Sequence, residues 1–150
     1  MHAGSDDPDA ALLLLARTGF VAGTDKRFAQ TIEAIRAELS AGPLLYRLSG
    51  SRSVEGTFVA CSFWLVDVLV RSGHDDEAGK PWRELTGYAS DLGLFAEEID
   101  PSSGAFLVYR IPYQTLRDHV TPGHGGRACF PSAARGTGSP GAVRESGGSP

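Results

Sequence analysis

Apolar residues in this chain come in two arrangements, unbroken runs and one-sided stripes, and the two alternate. The first run, Ala10-Ala11-Leu12-Leu13-Leu14-Leu15-Ala16, has no polar face. Asp7-Pro8 ahead of it offers an N-cap side chain and a proline for the first helical position, so the pattern predicts a helix covered on most sides. A second helix opens at Thr24, with Asp25 in its first turn. Its Phe28, Ile32, Ile35 and Leu39 share one face, while Lys26, Arg27, Glu33, Arg36 and Glu38 point elsewhere. Gly42 and Pro43 end it.

A polar link through Arg47, Ser49, Gly50, Ser51 and Ser53 leads to a third helix, expected from about Glu55 to Arg71 with Gly73 at its end. Phe58, Val59, Cys61, Phe63, Trp64, Leu65, Val66, Val68, Leu69 and Val70 leave it almost no hydrophilic stripe, and Asp67 is its lone interior charge. His74-Asp75-Asp76-Glu77 starts a fourth element, interrupted by Gly79 and Pro81. An interior proline costs about 3 kcal/mol, so this helix is expected to begin near Pro81 and run to about Ser90, with Trp82 and Leu85 inward. Wholly apolar helices alternating with amphipathic ones are what two layers of helical hairpins require: inner helices covered on both sides, outer helices with one face in water. The expected fold class is all-α.

Beyond the fourth helix, Leu92-Gly93-Leu94-Phe95-Ala96-Glu97-Glu98-Ile99-Asp100 sets two glutamates on a short apolar segment, and Pro101-Ser102-Ser103-Gly104 follows. Asp-Pro-x-x-Gly is turn chemistry, so the segment reads as a loop joining helices. Loops of this kind carry function more often than helix interiors do.

Composition changes the picture at the C-terminus. Residues 121–150 hold eight Gly, four Pro and four Ser but no Leu, Ile, Met, Tyr or Trp. Such a segment buries too little surface to offset an ordering entropy of about 1–2 kcal/mol per residue, and it is read as a disordered tail behind a helical domain over 1–120. Arg127, Arg135 and Arg144 against Glu145 give the tail +2, so the net charge of −4 becomes −6 on residues 1–120. An acidic domain, with three arginines spread along a tail, makes a poor phosphate footprint and argues against a nucleic-acid partner. No apolar run approaches the roughly 20 residues of a membrane span, and Asp6, Asp7 and Asp9 stand where a signal peptide carries Lys or Arg. No membrane partner is expected, and the default compartment is the cytoplasm. Cys61 and Cys129 are too few for a disulfide framework, and Cys61 sits in an apolar run that suits a small buried thiol.

Few residues then carry candidate chemistry. In Glu97-Glu98, the flanking Phe95, Ala96 and Ile99 draw at least one carboxylate toward an apolar wall, where desolvation suits it to acid or base work; the alternative is two solvated charges at a turn. Glu55, at the expected start of the third helix, stabilises the helix dipole or lines a cavity with Glu97. Trp64 is a core residue or an aromatic face for stacking on a sugar ring. His2, His74, His119 and His124 lack metal-ligand spacing, and no nucleotide-binding or nucleophile motif occurs, so neither a metal nor a cofactor is expected.

Three blocks in order resemble the C-terminal third of the catalytic domain of glycoside hydrolase family 15, the glucoamylase and bacterial trehalase-like enzymes. They are Asp9-Ala10-Ala11-Leu12-Leu13-Leu14-Leu15 with Gly19-Phe20-Val21, then the run Glu55 to Asp67, then the run Asp91 to Gly104; Leu45-Tyr46-Arg47 also fits, and the resemblance spans about residues 9–107. It implies part of an (α/α)6 toroid of six helical hairpins around a sugar pocket. It further implies an inverting α-glucoside hydrolase, acting on a maltooligosaccharide or trehalose, whose two carboxyls stand roughly 6.5–9.5 Å apart to admit a water. By similarity Glu97 is the general base and Glu55 lies near the pocket rim; Glu98 is the alternative base, and Trp64 is a further candidate for substrate contact. The family's general acid lies upstream of the matched segment, where this chain has no counterpart. After Leu107 the chain also leaves the family pattern, as a truncated or frame-disrupted gene product would. The resemblance therefore leads to a fragment with the base but not the acid, inactive alone or active with a complementary chain. Its rival is a non-catalytic helical protein that binds a partner, itself or a sugar through exposed apolar helix faces.

Overall fold

The computed structural model describes residues 7–107 and the backbone of residues 110–112. About half of the described chain is helical. A 3-10 segment, Ala10–Leu13, runs into α1 (Leu14–Arg17), and α2 (Lys26–Leu39), α3 (Val59–Arg71) and α4 (Asp75–Thr86) follow. Between them lie short strands paired as three antiparallel ribbons: β1 (Ser40–Ala41) with β2 (Leu44–Leu45), β3 (Thr57–Phe58) with β5 (Glu98–Ile99), and β4 (Leu94–Ala96) with β6 (Arg110–Pro112). The fold is thus mostly α rather than all-α. The tail expected over 121–150, with Cys129, lies outside the described residues.

α3 is the central element. One of its sides, with Val59, Phe63, Val66 and Leu69, packs into a core with Ala78, Trp82 and Leu85 of α4 and with Phe95, Ala96 and Ile99 of the strands. Cys61 and Val68 join a second core built from Ala10, Leu13 and Ala16, the α2 stripe, and Leu45 and Tyr46. The rings of Trp82 and Phe95 both meet Phe63 edge to face, at centroid distances of 5.6 and 5.4 Å, the geometry that aromatic quadrupoles favour. Burial pushes the Cys61 thiol up to about 12, so it remains protonated at neutral pH.

Helix α2 follows its stripe: Phe28, Ile32, Ile35 and Leu39 are all buried. Its N-cap is Asp25 rather than Thr24, with Asp25 Oδ1 accepting the Arg27 amide at 2.8 Å. Likewise Asp9, not Asp7, caps the first helical segment, accepting the Ala11 amide at 2.7 Å. That segment is less enclosed than an all-apolar run suggests, since Leu12, Leu14 and Leu15 are only half-buried.

Two boundaries differ from the expectation for physical reasons. α3 begins at Val59, not Glu55, because Thr57 and Phe58 are taken into the pairing with β5 and Thr57 Oγ1 donates to the Ile99 carbonyl at 2.7 Å. Tertiary pairing there overrides helical continuation. α4 begins at Asp75, not Pro81, and ends at Thr86, not Ser90. Asp75, Asp76 and Glu77 sit at its positive pole. Burial of Trp82 and Leu85, at about 1.5–3 kcal/mol each, offsets the bond lost at Pro81. α3 stops where expected: Gly73 follows it with φ +80°, a backbone region that other residues enter only with strain. Among the described residues no helix is long and apolar enough to cross a membrane.

Phe63 is fully buried between the two other rings, whereas Phe20 is 81% exposed. Urea unfolding should therefore show Phe63→Ala losing about 3–5 kcal/mol and Phe20→Ala changing stability by under about 0.5 kcal/mol.

Candidate active site

The glutamate-bearing segment is not a loop. Glu98 lies in β5 opposite Phe58, and Ile99 lies opposite Thr57. The sequence gives no period-2 signal for so short a strand; its ladder partner lies just ahead of α3. The Val59 amide, at the uncapped start of α3, donates to the Glu97 carbonyl at 3.0 Å, and the Gly56 amide donates to Glu98 Oε2 at 3.1 Å. Leu107 N–H reaches the Glu98 carbonyl at 3.0 Å from the other side. Both glutamates are half-buried. Glu98 spends its carboxylate on a main-chain amide. The Glu97 carboxylate has no hydrogen bond or ion pair among the described residues.

An open depression of about 360 Å³ lies beside this segment, lined in part by Tyr46, Arg52, Glu55, Gly56, Glu98 and Asp100. The structure thus brings Glu55 together with Glu98 rather than with Glu97, whose side chain is not in the lining. Glu55 does not cap α3: it precedes the helix and pairs with Arg47 Nη2 through Oε1 at 2.5 Å. Its other oxygen, Oε2, is buried and has no hydrogen-bond partner among the described residues. Arg47 in turn stacks over the Phe58 ring, 5.2 Å from its centroid, and Arg52 stacks over Tyr46 at 4.6 Å. Arg52 gives the rim positive charge among its carboxylates, and Arg47 pairs with Glu55 beside it; both stand in the polar link ahead of Glu55, where their spacing alone carries no signal of this role.

Trp64 is placed elsewhere. It is half-buried against the second core and does not line the depression. A second depression, of about 340 Å³, lies at the opposite end of α3 beside Arg36, Ser72, His74 and Glu77, and contains none of the expected residues. No group of three His, Cys, Asp or Glu among the described residues is arranged to hold a metal ion.

The trehalases of Mycolicibacterium smegmatis and Mycobacterium tuberculosis are each 41% identical to this chain over 110 residues, an alignment that takes in 69% of this chain and 16% of each relative. The trehalase of Thermoplasma volcanium is 34% identical over 108 residues, covering 69% of this chain and 17% of the relative. Over these residues the chain is similar to a segment of the trehalases. No family model matches it, and no solved structure does. The chain spans about a sixth of the length of the curated relatives it matches.

The site also contains one carboxylate with a strongly altered proton affinity. Ser103 and Ser102 hydroxyls and the Ser102 amide all donate to Asp100, at 2.6, 2.7 and 2.9 Å. These bonds favour its charged form and hold its pKa down to about 2. Because the folded value lies below the unfolded one, near 3.9, the support Asp100 gives the turn is complete above about pH 4 and is lost as pH falls through about 2. An NMR titration should show the Ser102 amide moving across that acid window. Ser102→Ala with Ser103→Ala should return the Asp100 midpoint toward 3.9.

Proposed function

We propose that residues 9–107 form one arc of an (α/α)6 barrel of the glycoside hydrolase family 15 type, contributing the water-activating base and part of the pocket of an inverting trehalase-like enzyme. The observation that carries this reading is the unequal pair at 97 and 98, set in a segment akin to trehalases. One carboxylate is bonded to Gly56 and its neighbour has no partner among the described residues. A general base needs an oxygen free to take a proton from water, and Glu97 has that freedom in a half-buried setting. Glu98, already accepting a main-chain amide, is the poorer candidate.

Trehalose is the substrate suggested by the relatives' names. Its hydroxyls match a rim carrying Arg52, Asp100 and Glu55, whose buried Oε2 lacks a donor among the described residues. The stacking role expected of Trp64 has no support in its position against the second core, and it is better taken as a packing residue. The general acid, which the resemblance places upstream of the matched segment, comes in this reading from another part of a completed barrel. Half-buried Leu12, Leu15, Trp64 and Leu65, together with exposed Val54, Leu92, Phe106 and Leu107, supply apolar surface on which a complementary chain or a second copy would seat.

Grafting residues 9–107 in place of the aligned segment of the Mycolicibacterium smegmatis trehalase tests the assignment. The chimera should release glucose from trehalose, and Glu97→Gln within it should lower kcat by about 10²–10⁴-fold, the usual contribution of a proton-transfer group. A chimera that is active and indifferent to Glu97→Gln would show that the base lies elsewhere.

A further inference from the structure

Glu97 and Glu98 are adjacent, yet they are held by different means. Glu97 is fixed through its main chain, by the Val59 amide on its carbonyl. Glu98 reaches with its side chain across 42 positions of sequence to the Gly56 amide, beyond the end of the two-residue ladder between β3 and β5. Gly56 has no room for a side chain: a Cβ there would meet Leu107 Cδ1 at 2.7 Å and the Ile99 carbonyl oxygen at 3.0 Å. Its backbone can therefore lie close against β5 and offer its N–H to residue 98. Together with the Thr57 hydroxyl on the Ile99 carbonyl, successive residues 97, 98 and 99 are each tied to the stretch 56–59 that leads into α3.

We infer that Glu98 is a positioning residue, whose carboxylate clamps the main chain around Glu97 against the entrance to α3 and so sets the direction of the Glu97 carboxylate. This rests on the reading of Glu97 as the base. The clamp requires an acceptor oxygen at the reach of a glutamate side chain, and it does not require a proton-accepting one. Glutamine at 98 keeps that oxygen, whereas alanine removes it and leaves the Gly56 amide without its acceptor. A base at 98 has the opposite requirement, since an amide cannot take up the proton. Misplacement of a reacting group by about 1 Å costs on the order of 10²-fold in rate, so a residue that never touches substrate can still govern the reaction.

The test uses the full chain and reads amide hydrogen exchange at Gly56 and Val59 together with the carboxyl-carbon NMR chemical shift of Glu97. Glu98→Gln should keep both exchange rates within about twofold of the parent and leave the Glu97 resonance in place. Glu98→Ala should speed exchange at both amides by about tenfold or more and move that resonance, while the amides of Ile35 and Leu85 in the two cores keep their parent rates. If alanine unfolds the chain, which the core amides would reveal, Glu98→Asp, too short to reach Gly56, takes its place with the same expectation. The inference is overturned if the shortened variant leaves Val59 exchange and the Glu97 resonance unchanged, or if glutamine behaves as alanine does. None of these readouts needs turnover, so an inactive Glu97 assignment and a failed clamp give different results.

Discussion

Burial of α3 on both sides is the constraint from which the rest follows. A helix with almost no polar stripe must be enclosed, and the chain encloses it by laying α4 and the strands along one side and α1, α2 and the β1–β2 hairpin along the other. Two cores result, and α3 is the wall between them. The helix's one interior charge obeys the same constraint. Asp67, its side chain 3% exposed, is paired with Arg71 through Oδ2 at 2.7 Å, one turn along the helix and toward its more open end. Because α3 is fixed from both sides, the residues leading into it are fixed as well, and β3 becomes a rigid edge on which β5 and its glutamates are laid.

Among the described residues, the carboxylates near that edge divide into those already engaged and one that is not. Glu55 is tied to Arg47, Glu98 to the Gly56 amide, and Asp100 to two serines. Each of these interactions shapes the wall of the depression. Glu97 stands next to Glu98 with its carbonyl used and, among the described residues, its carboxylate without a bond. Two adjacent glutamates thus differ in what holds them, and the difference comes from the surrounding main chain rather than from the residues themselves.

Much of this was legible in the sequence wherever a periodic signal existed. The stripe of α2 named its four buried residues, the apolar run of α3 named most of the central wall, and Gly73 marked its end. The missed features are those in which distant residues decide the local structure. Strands of two or three residues carry no periodicity, so β3, β4 and β5 were invisible, and the region from Glu55 to Phe58 read as the first turn of a helix when its partner is Glu98–Ile99. Pro81 read as a boundary because propensity weighs one lost bond, and it does not weigh the burial of Trp82 one residue later. At the site, Glu97-Glu98 stood out by its apolar flanks, while the difference between its two members depends on Gly56 and could not be read locally. Trp64 shows the converse, an aromatic whose neighbours on the helix gave no hint of which side it would take.

The bonds joining residues 56–59 to 97–99 also bear on the order in which the molecule assembles. Closing them spans 42 positions and encloses α3 and α4, so they form only after that helical pair has come together, and their loop entropy is recovered late. The glutamate ribbon is therefore a late seal on the first core, since it carries the fully buried Ile99 into place beside α3.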